Sequence, residues 1–218
     1  MIDFALARRN MVDSQLRTNK VTDPRLLSAM GAVPREAFVP SGRRSVAYSD
    51  EAVSIGNGRS LPAPMVAGRL YQLAEPGPND LVLLVGAGTG YGAAVLGRMV
   101  SAVVALEQDE ELAKTAEQVL AEAEADNVVV AQGPLPEGWA KQAPYDVIVF
   151  EGSIEEVPDA ILEQLAEDGR LVAAIVGKTG LPVATVMRKV GKVVAKEPVF
   201  DATIPPLPGF ARAREFVF

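Results

Sequence analysis

One segment of the chain limits its fold class more than any other. The run Leu81–Val85 is short and entirely apolar, and it leads directly into residues 86–90, of which the first, third and fifth are glycine. A strand without a polar face is typical of a parallel sheet that is covered on both sides. Glycines after such a strand permit a tight turn, and because they carry no Cβ a ligand can lie against bare backbone. The segment therefore predicts an α/β protein with a ligand-binding loop.

The chain from residue 81 onwards alternates between strand and helix patterns, which is the order expected of a mostly parallel sheet with helices on both faces. The apolar runs that predict further strands are residues 102–106, 128–131, 145–150 and 170–176. The helical patterns are residues 110–125 and 157–166. Late strands are predicted at residues 183–188, 193–200 and 215–218, paired antiparallel at one edge, and residues 177–179 are predicted to form a turn.

The amino-terminal part has a different pattern. Residues 1–37 predict two helices, the second opened by Asp23 as the N-cap and by Pro24 in the first turn. Residues 39–64 carry scattered prolines and glycines without a sustained period, which predicts an ordered but irregular loop layer. Another helix is predicted at residues 65–73. We expect one domain over residues 1–218, with residues 1–80 as a helical and loop cap and residues 81–218 as the nucleoside-binding α/β core.

The composition excludes several classes of chemistry. The 218 residues include no histidine and no cysteine, so a catalytic triad, a thiolate nucleophile and the common zinc sites are all excluded. The net charge of −7 argues against binding a nucleic acid backbone, and no metal site is expected. We find neither a signal peptide nor a membrane span, so no membrane partner is expected and the predicted location is the cytoplasm.

Glu107 strengthens the interpretation of the glycine loop. It stands 21 residues beyond Gly86 at the end of the next predicted strand, where a carboxylate can accept both hydroxyl groups of a ribose. A dinucleotide site would favour glycine at position 91, but this chain has Tyr91, so a cofactor with a single nucleoside such as S-adenosylmethionine fits better. The alternative is that Glu107 only places a negative charge near the start of the following helix.

Short motifs in a fixed order run along almost the whole chain. They are Met11-Val12, Gln15-Leu16-Arg17, Ala29-Met30, Val33-Pro34-Arg35-Glu36, Phe38-Val39-Pro40, Ala47-Tyr48-x-Asp50, Ile55-Gly56-x-Gly58, Gly88-x-Gly90-Tyr91-x-Ala93-Ala94-Val95-Leu96, Asn127-Val128, Gly138-Trp139, Ala143-Pro144-Tyr145-Asp146 and Val157-Pro158. With these motifs the chain resembles the protein-L-isoaspartate (D-aspartate) O-methyltransferase family.

The resemblance implies a Rossmann-like fold with a seven-stranded sheet and a methyl transfer from S-adenosylmethionine to isoaspartyl residues of damaged proteins, with S-adenosylhomocysteine as product. The layer at residues 39–64 would close over the cofactor and receive the substrate. An isoaspartyl carboxylate is ionised at neutral pH, so it can attack the methyl group without a general base. The implied cofactor-binding residues are Gly86, Ala87, Gly88, Thr89, Gly90, Tyr91, Glu107 and Gly133.

The chain departs from the family at positions that matter for function. Where the family has the run Gln-Thr-Ile-Ser-Gln-Pro, this chain has residues 59–64, so that Pro62 replaces the active-site serine. Leu84 replaces the acidic residue before the glycine loop, and Pro134 replaces an aspartate that the family places near the adenosine. Ser60, two residues before Pro62 in an extended segment, is our candidate for a substitute catalytic hydroxyl.

Three functions therefore stay open at this point. The first is methyl transfer to isoaspartyl residues. The second is a diverged relative that has lost catalysis and acts as a binding or regulatory protein. The third is methyl transfer to another acceptor, since an altered substrate loop beside a retained glycine loop is the pattern expected of changed specificity.

Overall fold

The structure is a computed structural model that describes residues 2–177, 180–191 and 193–212. The strand predicted at residues 215–218 lies outside the described residues, as do Lys178 and Thr179 of the predicted turn.

The amino-terminal part is helical, as predicted. Helix α1 (Phe4–Asn10) continues into a π-helical turn (Met11–Leu16), and α2 (Pro24–Ala32) follows. Asp23 caps α2 by accepting a hydrogen bond from the backbone N–H of Arg25 at 2.8 Å, with Pro24 in the first turn. This is the N-cap arrangement that the sequence predicts.

The layer at residues 39–64 is more regular than predicted. It contains a two-stranded antiparallel hairpin of β1 (Val53–Gly56) and β2 (Arg59–Leu61), followed by helix α3 (Pro64–Leu73). Strands of four and three residues are too short to give a visible alternation. The turn between them is formed by Gly56, Asn57 and Gly58, all at positive φ, and such a glycine-rich cluster predicts a loop without showing that strands flank it.

Seven strands of the described residues form the main sheet, and the prediction of a mostly parallel α/β sheet is confirmed. The strands are β3 (Leu81–Val85), β4 (Ala102–Glu107), β5 (Val128–Gln132), β6 (Tyr145–Ile154), β7 (Leu165–Val176), β8 (Pro182–Val190) and β9 (Val193–Asp201). Their order is β5-β4-β3-β6-β7-β8-β9. The first five are parallel, and β8 and β9 add antiparallel at one edge, as predicted.

Helices cover the two faces of the sheet unequally. One face packs against the amino-terminal helices together with α4 (Tyr91–Gly97) and α5 (Glu110–Glu122), in a single apolar core that joins residues 11–74 to the strands. The other face is covered by short turns, by the segment carrying Leu207 and Phe210, and by α6 (Asp159–Leu162). No helix within the described residues has the length and apolarity needed to cross a membrane.

The helix predicted at residues 157–166 is much shorter in the structure. Pro158 precedes its first residue, and β7 begins at Leu165, whose register partner on β6 is Tyr145. The apolar residues that suggest a longer helix, Ile161 and Leu165, are buried, but Leu165 belongs to the strand. Sheet pairing therefore overrides the helical pattern at this point.

The N-cap of α2 gives a first prediction. Asp23→Ala removes the acceptor for the Arg25 N–H and should lower the free energy of unfolding by about 1 kcal/mol. Asp23→Asn keeps an acceptor oxygen at the same position and should stay within a few tenths of a kcal/mol of the wild type. Denaturant unfolding of the three proteins measures both values, and equal losses in the two variants would contradict a capping role.

Candidate functional site

The loop at residues 86–90 joins β3 to α4 at the carboxyl-terminal edge of the sheet. Gly86, Gly88 and Gly90 have φ of 81°, 56° and 94°, a region that residues with a Cβ rarely adopt. The backbone N–H groups of Gly86 and Ala87 both donate to the carbonyl oxygen of Leu106 on the neighbouring strand. The buried hydroxyl of Thr89 donates to the carbonyl oxygen of Phe38, which attaches the loop to the amino-terminal layer.

Glu107 lies where the sequence predicts, beside this loop at the end of β4. Its side chain is fully buried. Its Oε2 accepts the backbone N–H of Gly88 at 2.7 Å, and its Oε1 accepts those of Gln108 and Asp109 at 2.9 and 3.1 Å. The carboxylate thus holds both the glycine loop and the residues that lead into α5. The second set of contacts agrees with the alternative interpretation, in which Glu107 places a negative charge near the start of this helix.

Arg59 completes the surroundings of Glu107, a contact that no sequence pattern predicts. Its Nη1 lies 2.7 and 2.8 Å from the two carboxylate oxygens of Glu107, and its Nη2 donates to the carbonyl oxygen of Gly86 at 2.9 Å. Only 7% of the Arg59 side chain is exposed. The guanidinium group of Arg59, on β2 of the hairpin, therefore lies at the position predicted for a ribose.

Two apolar side chains fill the space in front of the glycines. A Cβ on Gly86 would lie 2.5 Å from Cδ2 of Leu207, and a Cβ on Gly88 would lie 2.7 Å from Cδ1 of Ile55. These glycines are thus needed for close packing against the chain itself. In this conformation the bare backbone of the loop faces Leu207, Ile55 and Arg59.

The arrangement of Glu107 decides whether a nucleoside fits this conformation. A carboxylate has about four lone-pair directions, and Glu107 already accepts five described hydrogen bonds, three from backbone N–H groups and two from Nη1 of Arg59. The two hydroxyl groups of a ribose would need two of these directions. The loop and the carboxylate suit a nucleoside, but with Arg59 and Leu207 in place the site does not fit S-adenosylmethionine.

The structure separates the remaining sequence candidates. Gly133 follows β5 and donates its N–H to the carbonyl oxygen of Glu107 at 3.1 Å, so it lies at the same edge of the sheet. Tyr91 is fully buried, with its ring edge-on to Phe38 and beneath the guanidinium of Arg35. The tyrosine therefore packs in the core between α4 and the cap.

Ser60 and Pro62 lie on and just after β2. Ser60 is half-buried and pairs across the hairpin with Ser54, while its neighbours Arg59 and Leu61 are buried. Because alternate residues of a strand face opposite sides, Ser60 projects from the face opposite to Arg59. The carbonyl oxygen of Pro62 accepts a hydrogen bond from Nη2 of Arg35 at 2.5 Å.

A second buried polar group, which sequence reasoning missed, lies behind the loop. Glu151 follows the apolar core of β6 and accepts the hydroxyl hydrogen of Tyr71. Both side chains pack closely against Gly92 of α4, so that glycine allows them to approach the helix. Burial raises the pKa of Glu151 to about 7 and raises that of Tyr71 well above its usual range. The only sequence signal for this group is a carboxylate directly after the apolar run of residues 147–150.

Comparison with known proteins places these features in a family. The family model described as protein-L-isoaspartate(D-aspartate) O-methyltransferase matches residues 7–203. The protein-L-isoaspartate O-methyltransferase of Koribacter versatilis is 38% identical over 206 residues, which is 94% of this chain and 92% of that protein. The protein of the same name from Roseiflexus castenholzii is 38% identical over 208 residues, covering 95% and 94% of the two chains.

Two solved structures of proteins described as protein-L-isoaspartate O-methyltransferases have the same fold as this chain. A protein-L-isoaspartate O-methyltransferase superimposes with a TM-score of 0.82 at 23% identity, over 93% of this chain and 66% of its own. A Plasmodium falciparum protein of that description, in complex with S-adenosyl-L-homocysteine, gives a TM-score of 0.75 at 18% identity, over 95% and 99% of the two chains. At these identities the likeness shows a common fold.

The raised pKa of Glu151 predicts a pH dependence of stability. The carboxyl group binds a proton more tightly in the folded protein, where its pKa is about 7, than in the unfolded chain, where its pKa is 4.5. The free energy of unfolding should therefore fall as pH rises through this window, by on the order of 3 kcal/mol relative to a variant that does not titrate there. Glu151→Gln is that variant.

Denaturant unfolding at about pH 5 and about pH 8 measures the effect. The wild type should lose stability relative to Glu151→Gln between the two conditions, because other carboxylates titrate alike in both proteins. Parallel pH profiles for the two proteins would show that Glu151 is ionised throughout.

Proposed function

The chain belongs to the protein-L-isoaspartate (D-aspartate) O-methyltransferase family, and we propose that it transfers a methyl group from S-adenosylmethionine to isoaspartyl carboxylates of damaged proteins. Proteins of this family use S-adenosylmethionine and act on protein substrates with isoaspartyl residues. The observation that carries the proposal is the pairing of the glycine loop with Glu107 at the carboxyl-terminal edge of a parallel sheet, where α/β proteins bind ligands.

We propose that the cofactor contacts come from the residues of the loop and its surroundings. They are Gly86, Ala87, Gly88, Thr89, Gly90, Tyr91, Glu107 and Gly133, and of these Tyr91 offers its backbone only, because its side chain is buried beneath Arg35. Activity then requires a conformation in which Arg59 has left Glu107, because the described conformation has no place for the ribose. The whole chain would act as one domain, which the core shared by the amino-terminal helices and the sheet supports.

The proposed reaction agrees with the side chains that the chain offers. A carboxylate acceptor is ionised at neutral pH, so it needs no residue to remove a proton. A chain without histidine therefore retains what this reaction needs, which is mainly to hold the reacting groups in place. An acceptor such as a hydroxyl or an amine would place a demand for a base on the site.

Ser60 is the hydroxyl that we propose for holding the substrate. It lies half-buried on the hairpin that carries Arg59, two residues before the position of the family serine, and it faces outward beside Ser54. In the described conformation this hydroxyl faces away from Glu107 and the glycine loop, so the proposed role requires that the hairpin turns when Arg59 leaves Glu107.

One observation supports a second candidate function, a binding or regulatory role without catalysis. Arg59 contacts both carboxylate oxygens of Glu107, which the ribose would need, as expected of a relative that has exchanged catalysis for a binding or regulatory role. The family relationship favours the enzyme, so the same assay should decide between the two.

The assay is transfer of a labelled methyl group to an isoaspartyl peptide, with the aspartyl peptide of the same sequence as control substrate. We expect a base-labile methyl ester on the isoaspartyl peptide alone. No transfer at high protein concentration would contradict the proposal and favour the binding role, and equal labelling of both peptides would point to another acceptor.

A matched pair of variants tests Ser60 in the same assay. Ser60→Ala should lower kcat/KM by about five- to tenfold, the value of one hydrogen bond of about 1 kcal/mol, chiefly through KM. Ser54→Ala, which removes the exposed hydroxyl opposite on β1, should leave the rate unchanged. Equal rates in Ser60→Ala and the wild type would remove Ser60 from the site.

A further inference from the structure

Arg59 joins two partners that belong to the nucleoside site. Its Nη1 contacts both oxygens of Glu107, and its Nη2 holds the carbonyl oxygen of Gly86 at 2.9 Å. The first partner is the carboxylate expected to bind a ribose, and the second is the first glycine of the loop. Since Arg59 and Glu107 are both buried, the contact is shielded from water and from salt.

Leu207 reaches the same glycine from the other end of the chain. Its backbone N–H donates to the carbonyl oxygen of Ser153 at 2.8 Å, and the N–H of Ser153 donates to the carbonyl oxygen of Pro205 at 2.9 Å. These two bonds attach the segment to the end of β6. From there the Leu207 side chain packs against Gly86 and Gly152, and a Cβ at either glycine would collide with it.

We propose that Arg59 and Leu207 form an internal lock on the nucleoside site, so that Arg59 and the cofactor ribose compete for Glu107. The inference rests on the proposed function, because the competing ligand is the family's cofactor. Two segments that are far apart in the sequence meet over Gly86, and each fills space that a nucleoside needs. Binding therefore requires Arg59 to leave the carboxylate and Leu207 to move from the glycine.

The lock has a thermodynamic consequence. A protein whose binding-competent state is only partly populated binds with an apparent Kd raised by the inverse of that fraction. Arg59 loses a buried partner when the site opens, whereas a glutamine at that position keeps an amide without the positive charge. Arg59→Gln, which restores the residue that the family carries there, should therefore tighten nucleoside binding.

The test is titration calorimetry of S-adenosylhomocysteine into the wild type and Arg59→Gln. We expect the Kd of Arg59→Gln to be lower by about 10- to 100-fold, the range for a site that is open in about 1–10% of molecules. Arg44→Gln makes the same charge change at an exposed arginine of the same layer and should bind as the wild type does.

Leu207→Ala provides an independent variant, because it leaves the pair of Arg59 and Glu107 in place and opens space only beside Gly86. It should lower the Kd in the same direction, and the double variant should bind more tightly than either single one. If Arg59→Gln shows no cooperative unfolding transition, the Leu207→Ala comparison with the wild type decides the question.

Two results would overturn the lock. One is a wild-type Kd equal to that of both variants, and the other is the absence of binding heat in all folded variants at millimolar ligand. The methylation assay separates this inference from the proposed function. Tighter binding in Arg59→Gln without any methyl transfer would support the lock and contradict the proposed methyltransferase activity. Methyl transfer by the wild type, with the same Kd in the wild type and both variants, would support the activity and contradict the lock.

Discussion

The buried contact between Arg59 and Glu107 holds together the parts of this molecule that matter for function. A carboxylate with no exposure must be paired and hydrogen-bonded, and removing one partner of such a pair typically costs about 3–5 kcal/mol. Glu107 meets that requirement through three backbone N–H groups and one guanidinium group. The hairpin, the glycine loop and the start of α5 are thereby fixed around one side chain.

The site is built from both ends of the chain. The amino-terminal layer supplies Ile55 and Arg59 on the hairpin, and the segment after β9 supplies Leu207, while the sheet places Gly86 and Glu107 between them. A nucleoside site formed at the end of parallel strands is normally an open crevice. In this chain both flanking segments close over it, so the elements that would form the pocket are the ones that fill it.

The sequence predicted the sheet and the relation between its parts well, for a physical reason. Leu81–Val85 is short, apolar and followed by turn glycines, which predicts a buried strand, and because parallel strands end at the same edge of a sheet, Glu107 is expected near the glycine loop. Family resemblance then supplied the seven-stranded fold. Residues 157–166 were predicted wrongly as a longer helix, since the pairing of Leu165 with Tyr145 is a long-range contact that local periodicity does not contain.

The contacts of Arg59 and Glu151 were not predictable for the same reason. An arginine between two turn glycines and a serine gives no local signal of burial, and its partner lies 48 residues away on another strand. Glu151 follows an apolar run, and Tyr71 and α4 from other parts of the chain pack against its carboxyl group. Local patterns thus located the elements of the site, whereas the pairing of its charges required the assembled fold.

A crystal structure of the wild-type chain with saturating S-adenosylhomocysteine tests most directly whether Arg59 and the ribose compete for Glu107. We expect the ribose hydroxyl groups to lie on Glu107, with the Arg59 guanidinium turned away from that carboxylate and Leu207 withdrawn from Gly86. A nucleoside bound to Glu107 while Arg59 keeps its contacts with Glu107 and Gly86 would contradict the competition between Arg59 and the ribose.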